Sequence, residues 1–467
     1  MARANPDRGK PNKGPKMALI YSQGLLVVVG LFFGLALLKF GNPVIFEGKL
    51  PPPSNLSELV HFNWPVQWGW AIAMVVGVLL LPLCRLPSRF PKWLLIAPVL
   101  WSLWQWVAAA DSVQPDLSRL TALHLTVVAA CFYFGLLATR GVSNSMPIWL
   151  GIGIGLCLVI SIGFQQQFGG LEETRIFYEK LARGEQTPEL QAAFDRPGVR
   201  EIWQSPLFQF KVNSRRIYST LFYPNTLAGV MLLLVPGLVA AVWLAFEGAS
   251  RITRSMLAGL ILMGAGLCLI WSGSKAGWLI AVVQGGLLFL RSSIPTKWRR
   301  MIVITIAIVG VAGLVIRNLD YFQRGAKSVG ARTDYWVSAG QAFVDNPVTG
   351  TGPGTFGEAY RVRKSADSEM AQLAHNDFIQ QASDSGGVGF LSFLVFVGGG
   401  FWWLSRNLSF RDSPLARLIW IGLAGWILQC LVEFGLYIPA IAWPAFFLFG
   451  VLCREAANHV DTSTASR

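Results

Sequence analysis

Ionisable residues are scarce in this chain. They make up 14% of its 467 residues, and acids are scarcer than bases, with 25 Asp and Glu against 39 Lys and Arg. Soluble globular domains carry about 25% charged residues, so that class is excluded. Histidine occurs only at 61, 124, 375 and 459, with no HxxxH or HExxH spacing, so no metal site is expected. The six cysteines (84, 131, 157, 268, 430 and 453) lie in or at the ends of apolar runs and form no CxxC pair. They read as small buried side chains, with neither a disulfide framework nor a zinc cluster. The alternating strands of about ten residues that build a membrane β-barrel are also missing.

Apolar runs of about 16–25 residues are what the chain has instead, the length needed to cross a hydrocarbon core as helix. Hydrophobic residues reach 53%, and the mean hydropathy is +0.48. Nineteen Trp and thirty Phe suit many interfacial helix ends. The expected fold is all-α, a polytopic membrane protein of about twelve spans filling residues 17–453. These spans lie near 17–40, 67–84, 93–110, 120–139, 147–165, 219–246, 256–272, 276–290, 301–316, 387–404, 418–432 and 439–453. The first is too long for a signal-peptide core and no small-residue cleavage site follows it.

A net charge of +14 raises the question of nucleic acid, but Lys and Arg recur at alternate ends of the apolar runs. That is the positive-inside pattern of a cytoplasmic membrane protein, contacting lipids and no nucleic acid. It puts the basic tail 1–16 and the polar tail 454–467 in the cytoplasm. Two long polar segments, 166–218 and 317–386, then face outward, away from nucleotides and reducing thiols. The first carries two short amphipathic stretches, Ile176–Ala182 and Pro188–Phe194.

The second polar segment holds the candidate chemistry. Arg332 precedes Tyr335, Trp336, Ala339 and Phe343, an apolar stripe at helical spacing, which puts Arg332 near a helix N-terminus that attracts anions. Gly352-Pro-Gly354-Thr-Phe-Gly357 fits GxGxxG by letter but has no βαβ context and no Gly-Lys-Ser/Thr. It is either a tight turn or a backbone that lets a phosphate or sugar approach closely. Lys275 at the mouth of one span, and Arg215 and Arg216 at the mouth of another, either snorkel to headgroups or face an anion. Four cations on one side suit a group the size of pyrophosphate. His375, beside Asn376, Asp377 and Asp384, is either a hydrogen-bonding loop residue or a general base. Glu433, in the hairpin between the last two runs, reads first as a partner for a cation.

Five stretches, in order, resemble the O-antigen ligase and O-antigen polymerase superfamily of membrane glycosyltransferases. They are Tyr223-Pro-Asn225-Thr-Leu-Ala228, Ser272-Gly-Ser-Lys275-Ala-Gly-Trp-Leu279, Arg332 with Trp336, Pro347 through Phe356 with its glycines, and His375-Asn376 followed by Gly386-Gly387. The resemblance covers roughly residues 215–450. It implies transfer of a glycan from a polyprenyl-pyrophosphate carrier to a hydroxyl of a lipid, saccharide or protein acceptor, outside the cytoplasm. It further implies that Arg332, Arg216 and, with them, Lys275 and Arg215 hold pyrophosphate, and that His375 is the base. Asn376, Gly352, Gly354 and Glu433 support them, and no cofactor or metal is needed, because the donor already carries its leaving group. Where the family usually has arginine in its Ser-Arg motif, this chain has Lys275, which keeps the charge and loses bidentate geometry. Polymerisation of lipid-linked repeat units, and transport of an anion or a lipid-linked sugar, remain as alternatives. A transporter places its charges at discontinuous helices near the midplane, and here they sit at span ends and in loops.

Overall fold

A computed structural model describes residues 14–47, 52–195, 200, 209, 213–290, 294–319, 327–365, 368–409 and 413–465. Every regular element among them is a helix. The basic tail through residue 13, together with Arg291 and Arg411, lies outside the described residues. Ten helices are long and apolar enough to cross a membrane, and two shorter apolar ones, Lys275–Phe289 and Pro414–Cys430, accompany them. Together they coincide with the apolar runs of the sequence. Several start where a side chain takes up the unpaired first-turn N–H groups. Ser250 accepts from the Thr253 N–H, Ser413 from the Ala416 N–H, and Asn376 from the Phe378 and Ile379 N–H groups.

Helix Pro439–Ala465 is the axis of the bundle, its candidate span buried almost throughout, whereas Thr296–Arg317 is exposed along nearly all its length. Helix Gly14–Lys39 packs on Ile148–Gln165 through two small-residue ridges, Gly30 and Gly34 against Gly151 and Gly155. A Cβ on Gly30 would lie 2.2 Å from the Ile148 carbonyl oxygen, so the two backbones touch, as small residues allow in membranes.

The connections at one end of the bundle are tied to one another. The Val113 N–H donates to the Thr351 carbonyl (3.0 Å), Phe222 to Gly41 (3.2 Å) and Ile217 to Trp271 (3.3 Å). The first long polar segment begins as a continuation of its span, through a π turn at Gln166–Gly170 into helix Leu171–Ala182, with Pro188–Phe194 beyond.

The second differs from expectation at its C-terminal end. Instead of running as loop to residue 386, it enters a helix at Asp377 that is interrupted only by Gly386, at φ +64°. Hydropathy reads Gln380, Gln381, Asp384 and Ser385 as loop, yet all four are fully buried. The Gln381 Oε1 accepts from Trp101 Nε1 (2.8 Å) and Gln105 Nε2 (3.2 Å), Ser385 Oγ donates to Gln105 Oε1 (2.6 Å), and Tyr437 Oη donates to Asp384 Oδ2 (3.1 Å). Polar side chains that satisfy one another can enter an apolar bundle.

Candidate functional site

Glu433 is the hub of the tied end. Its carboxylate Oε1 accepts from Arg332 Nη2 and from Asn225 Nδ2 (2.6 Å), and its Oε2 pairs with His375 Nδ1 (3.1 Å). The Asn225 Oδ1 in turn accepts from Arg216 Nη2 (2.7 Å), and Arg216 Nε donates to the Ser272 carbonyl (2.7 Å). Gly273 makes room for that arginine: at φ +61° it turns the chain, and a Cβ there would lie 3.1 Å from Arg216 Nε. The Glu433 side chain is 6% exposed, while those of Arg332 and His375 are 20% and 28% exposed. The carboxylate is thus interior, and the two groups it holds reach open space.

Burial alone would raise the Glu433 carboxyl above its ordinary range. The charges of His375, Arg332 and Arg216, with the His375 hydrogen bond, outweigh burial and hold it below that range. An ionised carboxylate only accepts hydrogen bonds, so His375 Nδ1 carries the hydrogen and donates. When the ring is neutral, its lone pair sits on Nε2, which has no hydrogen-bond partner among the described residues. This is the orientation a general base needs.

Several features aim the ring. His375 adopts φ +53°, in the left-handed region that non-glycine residues seldom enter. It lies between Tyr335, stacked at 5.8 Å between ring centroids, and Phe434, edge-on at 4.7 Å. The preceding residue is clamped, because the Ala374 carbonyl accepts from Trp336 Nε1 (3.1 Å) and its N–H donates to Gln380 Oε1 (2.9 Å). A small apolar core of Tyr335, Ala339, Phe356, Tyr360, Ala371 and Ala374 backs the segment. Asn376 caps the next helix and donates from Nδ2 to the Leu431 carbonyl (2.9 Å), tying His375 to the Glu433 hairpin.

The other expected residues divide. Lys275, half-buried at the first position of its helix, lies near enough to Arg216 and Arg332 to be repelled by both. The positive end of a helix is an unfavourable place for a lysine, which an anion between these cations would relieve. Arg215 is exposed, and the Glu433 carboxylate bonds to Arg332, Asn225 and His375 and not to it. Arg332 is the sixth residue of helix Lys327–Asp345, past the first-turn N–H groups, so its own guanidinium is what faces an anion.

Gly352 and Gly354 sit at φ +109° and +81°. Their N–H groups donate to the Asp384 carbonyl (2.8 Å) and carboxylate (2.8 Å), and a Cβ on Gly352 would lie 2.0 Å from Ser112 Oγ. The turn therefore packs the polar segment onto the bundle, and these two N–H groups are already engaged. Asp377 and Asp384 serve the scaffold and do not touch His375; Asp377 Oδ2 accepts from the Leu436 N–H (3.0 Å). Asn225, which the sequence reading quoted within a stretch and gave no role, links Arg216 to Glu433. Its signal was there, just inside a helix started by Pro224 and nine residues after Arg216.

Residues 258–394 match the family model described as O-Antigen ligase. This stretch is similar to the O-antigen ligase family. The match takes in Lys275, Arg332, the glycine turn and His375, while Arg216, Asn225 and Glu433 lie on either side of it. With its apolar helices, the chain is a multi-pass membrane protein, and its stretch 258–394 is similar to O-antigen ligases. No curated protein matches it.

Proposed function

We propose that the chain transfers a glycan from a polyprenyl-pyrophosphate carrier to an acceptor hydroxyl on the outer face of the cytoplasmic membrane. The observation that carries this reading is His375 held by Glu433 beside Arg332, Arg216 and Lys275. His375 Nε2 takes the acceptor proton as the acceptor oxygen bonds to the anomeric carbon. The bond from that carbon to the pyrophosphate oxygen breaks, and its electron pair leaves on the carrier pyrophosphate. Arg216, Arg332 and Lys275 bind that group and stabilise its growing charge. Glu433 offsets the positive charge on the imidazolium until the proton leaves to solvent or to the departing pyrophosphate.

Purified protein in nanodiscs, given a synthetic polyprenyl-pyrophosphate glycan and a hydroxyl acceptor, tests the reading by release of polyprenyl pyrophosphate. Transfer of one glycan per acceptor marks a ligase, and lengthening of the lipid-linked chain itself marks a polymerase. Lys275→Arg should retain most activity. Lys275→Ala should lose about 1.5–3 kcal/mol of donor binding, tenfold or more in Kd, as expected for a charged hydrogen bond. Normal donor affinity in Lys275→Ala would make the lysine a headgroup anchor.

The orientation is tested separately. Single cysteines at Ser365, in the polar segment, and at Glu247, at the far ends of the flanking helices, occupy opposite ends of the bundle. Impermeant thiol reagent applied to cells with a permeabilised outer barrier should label the first and spare the second. The reverse pattern overturns an outward-facing site.

A further inference from the structure

A cavity of about 300 Å³ opens beside the glycine turn. Its polar lining is Glu47, Gln114, Asp116, Thr355, Glu358 and Gln372. Ile45, Leu117 and Leu120 give it an apolar wall. Carboxylates and carboxamides next to an apolar surface are what a saccharide ring needs, since it presents hydroxyls at its edge and C–H groups on its faces. The volume falls at the low end of small-molecule sites.

Two observations separate this cavity from an ordinary polar crevice. Neither the Gln114 nor the Gln372 carboxamide hydrogen-bonds to another described residue, so both offer a donor and an acceptor to an occupant. The wall also belongs to the segment that carries the base. Gln372 lies three residues before His375, which bounds their separation along the chain at about 11 Å. Tyr360 packs between Phe356 and Tyr335, and Tyr335 in turn stacks on the His375 ring, whereas Gly357 and Glu358 of the same short helix line the cavity. The cavity and the imidazole are thus separated by the aromatic layer of Tyr335 and Tyr360, with Gln372 and His375 three residues apart on one segment, a spacing on the scale of a saccharide of a few rings.

We infer that this cavity is a subsite for a non-anionic saccharide ring, neutral or amino-bearing, at some remove from the reacting sugar. The inference rests on the glycan-transfer reading above. Asp116 and Glu358 each pair with an arginine one turn along, Arg119 (3.8 Å) and Arg361 (2.6 Å). Glu47 accepts only hydrogen bonds, such as that from the Val66 N–H (3.0 Å), so the wall keeps a net negative charge, the opposite sign from the cationic cluster. Among the described residues no group of three His, Cys, Asp or Glu could hold a metal ion. Occupancy of this subsite by one part of the glycan, with pyrophosphate at the cations, fixes the chain at two points of opposite electrostatic character.

The probes are methyl glycosides of a neutral hexose, an N-acetylhexosamine and a hexuronic acid, tested on the full-length protein in detergent by saturation-transfer NMR. Neutral or N-acetylated probes should bind, and the hexuronic acid should not. Gln372→Ala and Glu358→Gln should each weaken binding about tenfold, the effect of one hydrogen bond. Gly357→Ala should act in the same direction, because its Cβ would lie 2.6 Å from Gln372 Oε1 and displace that carboxamide. His375→Ala should leave probe binding unchanged. In transfer assays the cavity variants should raise KM about tenfold at constant kcat. A rise confined to the acceptor KM assigns the ring to the acceptor, and one confined to the donor KM assigns it to the donor glycan. Wild-type probe affinity in all three variants, or equal binding of the hexuronic acid, overturns the subsite and leaves the role of His375 standing. Normal transfer by His375→Ala overturns the glycan-transfer reading whatever the cavity binds.

Discussion

His375→Ala is expected to transfer glycan about 10²–10⁴-fold more slowly than wild type, the usual worth of a general base, while still inserting and binding donor. A hydroxyl attacks an anomeric carbon more readily when its proton leaves as the bond forms, and Nε2 of His375 has no hydrogen-bond partner among the described residues. Alanine also changes the backbone, because position 375 sits at φ +53°. His375→Asn separates the two effects. Asparagine tolerates the left-handed region and can still hydrogen-bond to Glu433, but it offers no base. Both variants should show the same slow turnover, with thermal stability better preserved in Asn. Arg332→Ala should differ from either by weakening donor binding itself. Near-normal turnover in His375→Asn would remove the base from the mechanism.

Glu433→Gln is expected to cost as much as the base, about 10³–10⁴-fold in turnover, the scale seen when the carboxylate that orients a catalytic histidine becomes an amide. The amide no longer enforces the Nδ1–H tautomer, and it cannot accept on both oxygens from Arg332, Asn225 and His375. Glu433→Ala should in addition destabilise the protein by about 3–5 kcal/mol, since breaking a buried pair strands its partner charges. The pH dependence has a definite sign. The carboxyl is held below its ordinary range in the folded protein. Its stabilisation is therefore fully present above the unfolded value of about 4.3 and is lost as pH falls through the lower folded value. Thermal melts of wild type should show that acid-side loss, and melts of Glu433→Gln should lack it. Equal acid limbs in the two proteins would show that Glu433 is not the interior anion of the site.

The membrane architecture was legible because lipid leaves the backbone so few choices. A run of apolar residues with no water to bond must close its own N–H and C=O groups as helix, and local composition suffices to find it. For the same reason Arg332, Lys275 and His375 stood out as ionisable groups in an apolar chain. The reading failed where burial and polarity part company. Gln380, Gln381, Asp384 and Ser385 look like loop, but Trp101, Gln105 and Tyr437 bond to the last three inside the bundle and Gln380 bonds to Asp384. Trp101 and Gln381 lie 280 positions apart, and no local pattern connects them.

By itself, then, the sequence determined that the chain crosses a membrane, where its helices run, and which cations and imidazole were available for chemistry. Only the tertiary structure decided which of them meet. Glu433 stands 58 residues from His375, 101 from Arg332 and 208 from Asn225, yet one carboxylate holds all three. The tertiary structure also turned the glycine segment into a packing joint and left Arg215 aside. Hydrogen bonds and ion pairs act over a few ångströms of space and are blind to chain separation, so their partners follow from how the helices pack.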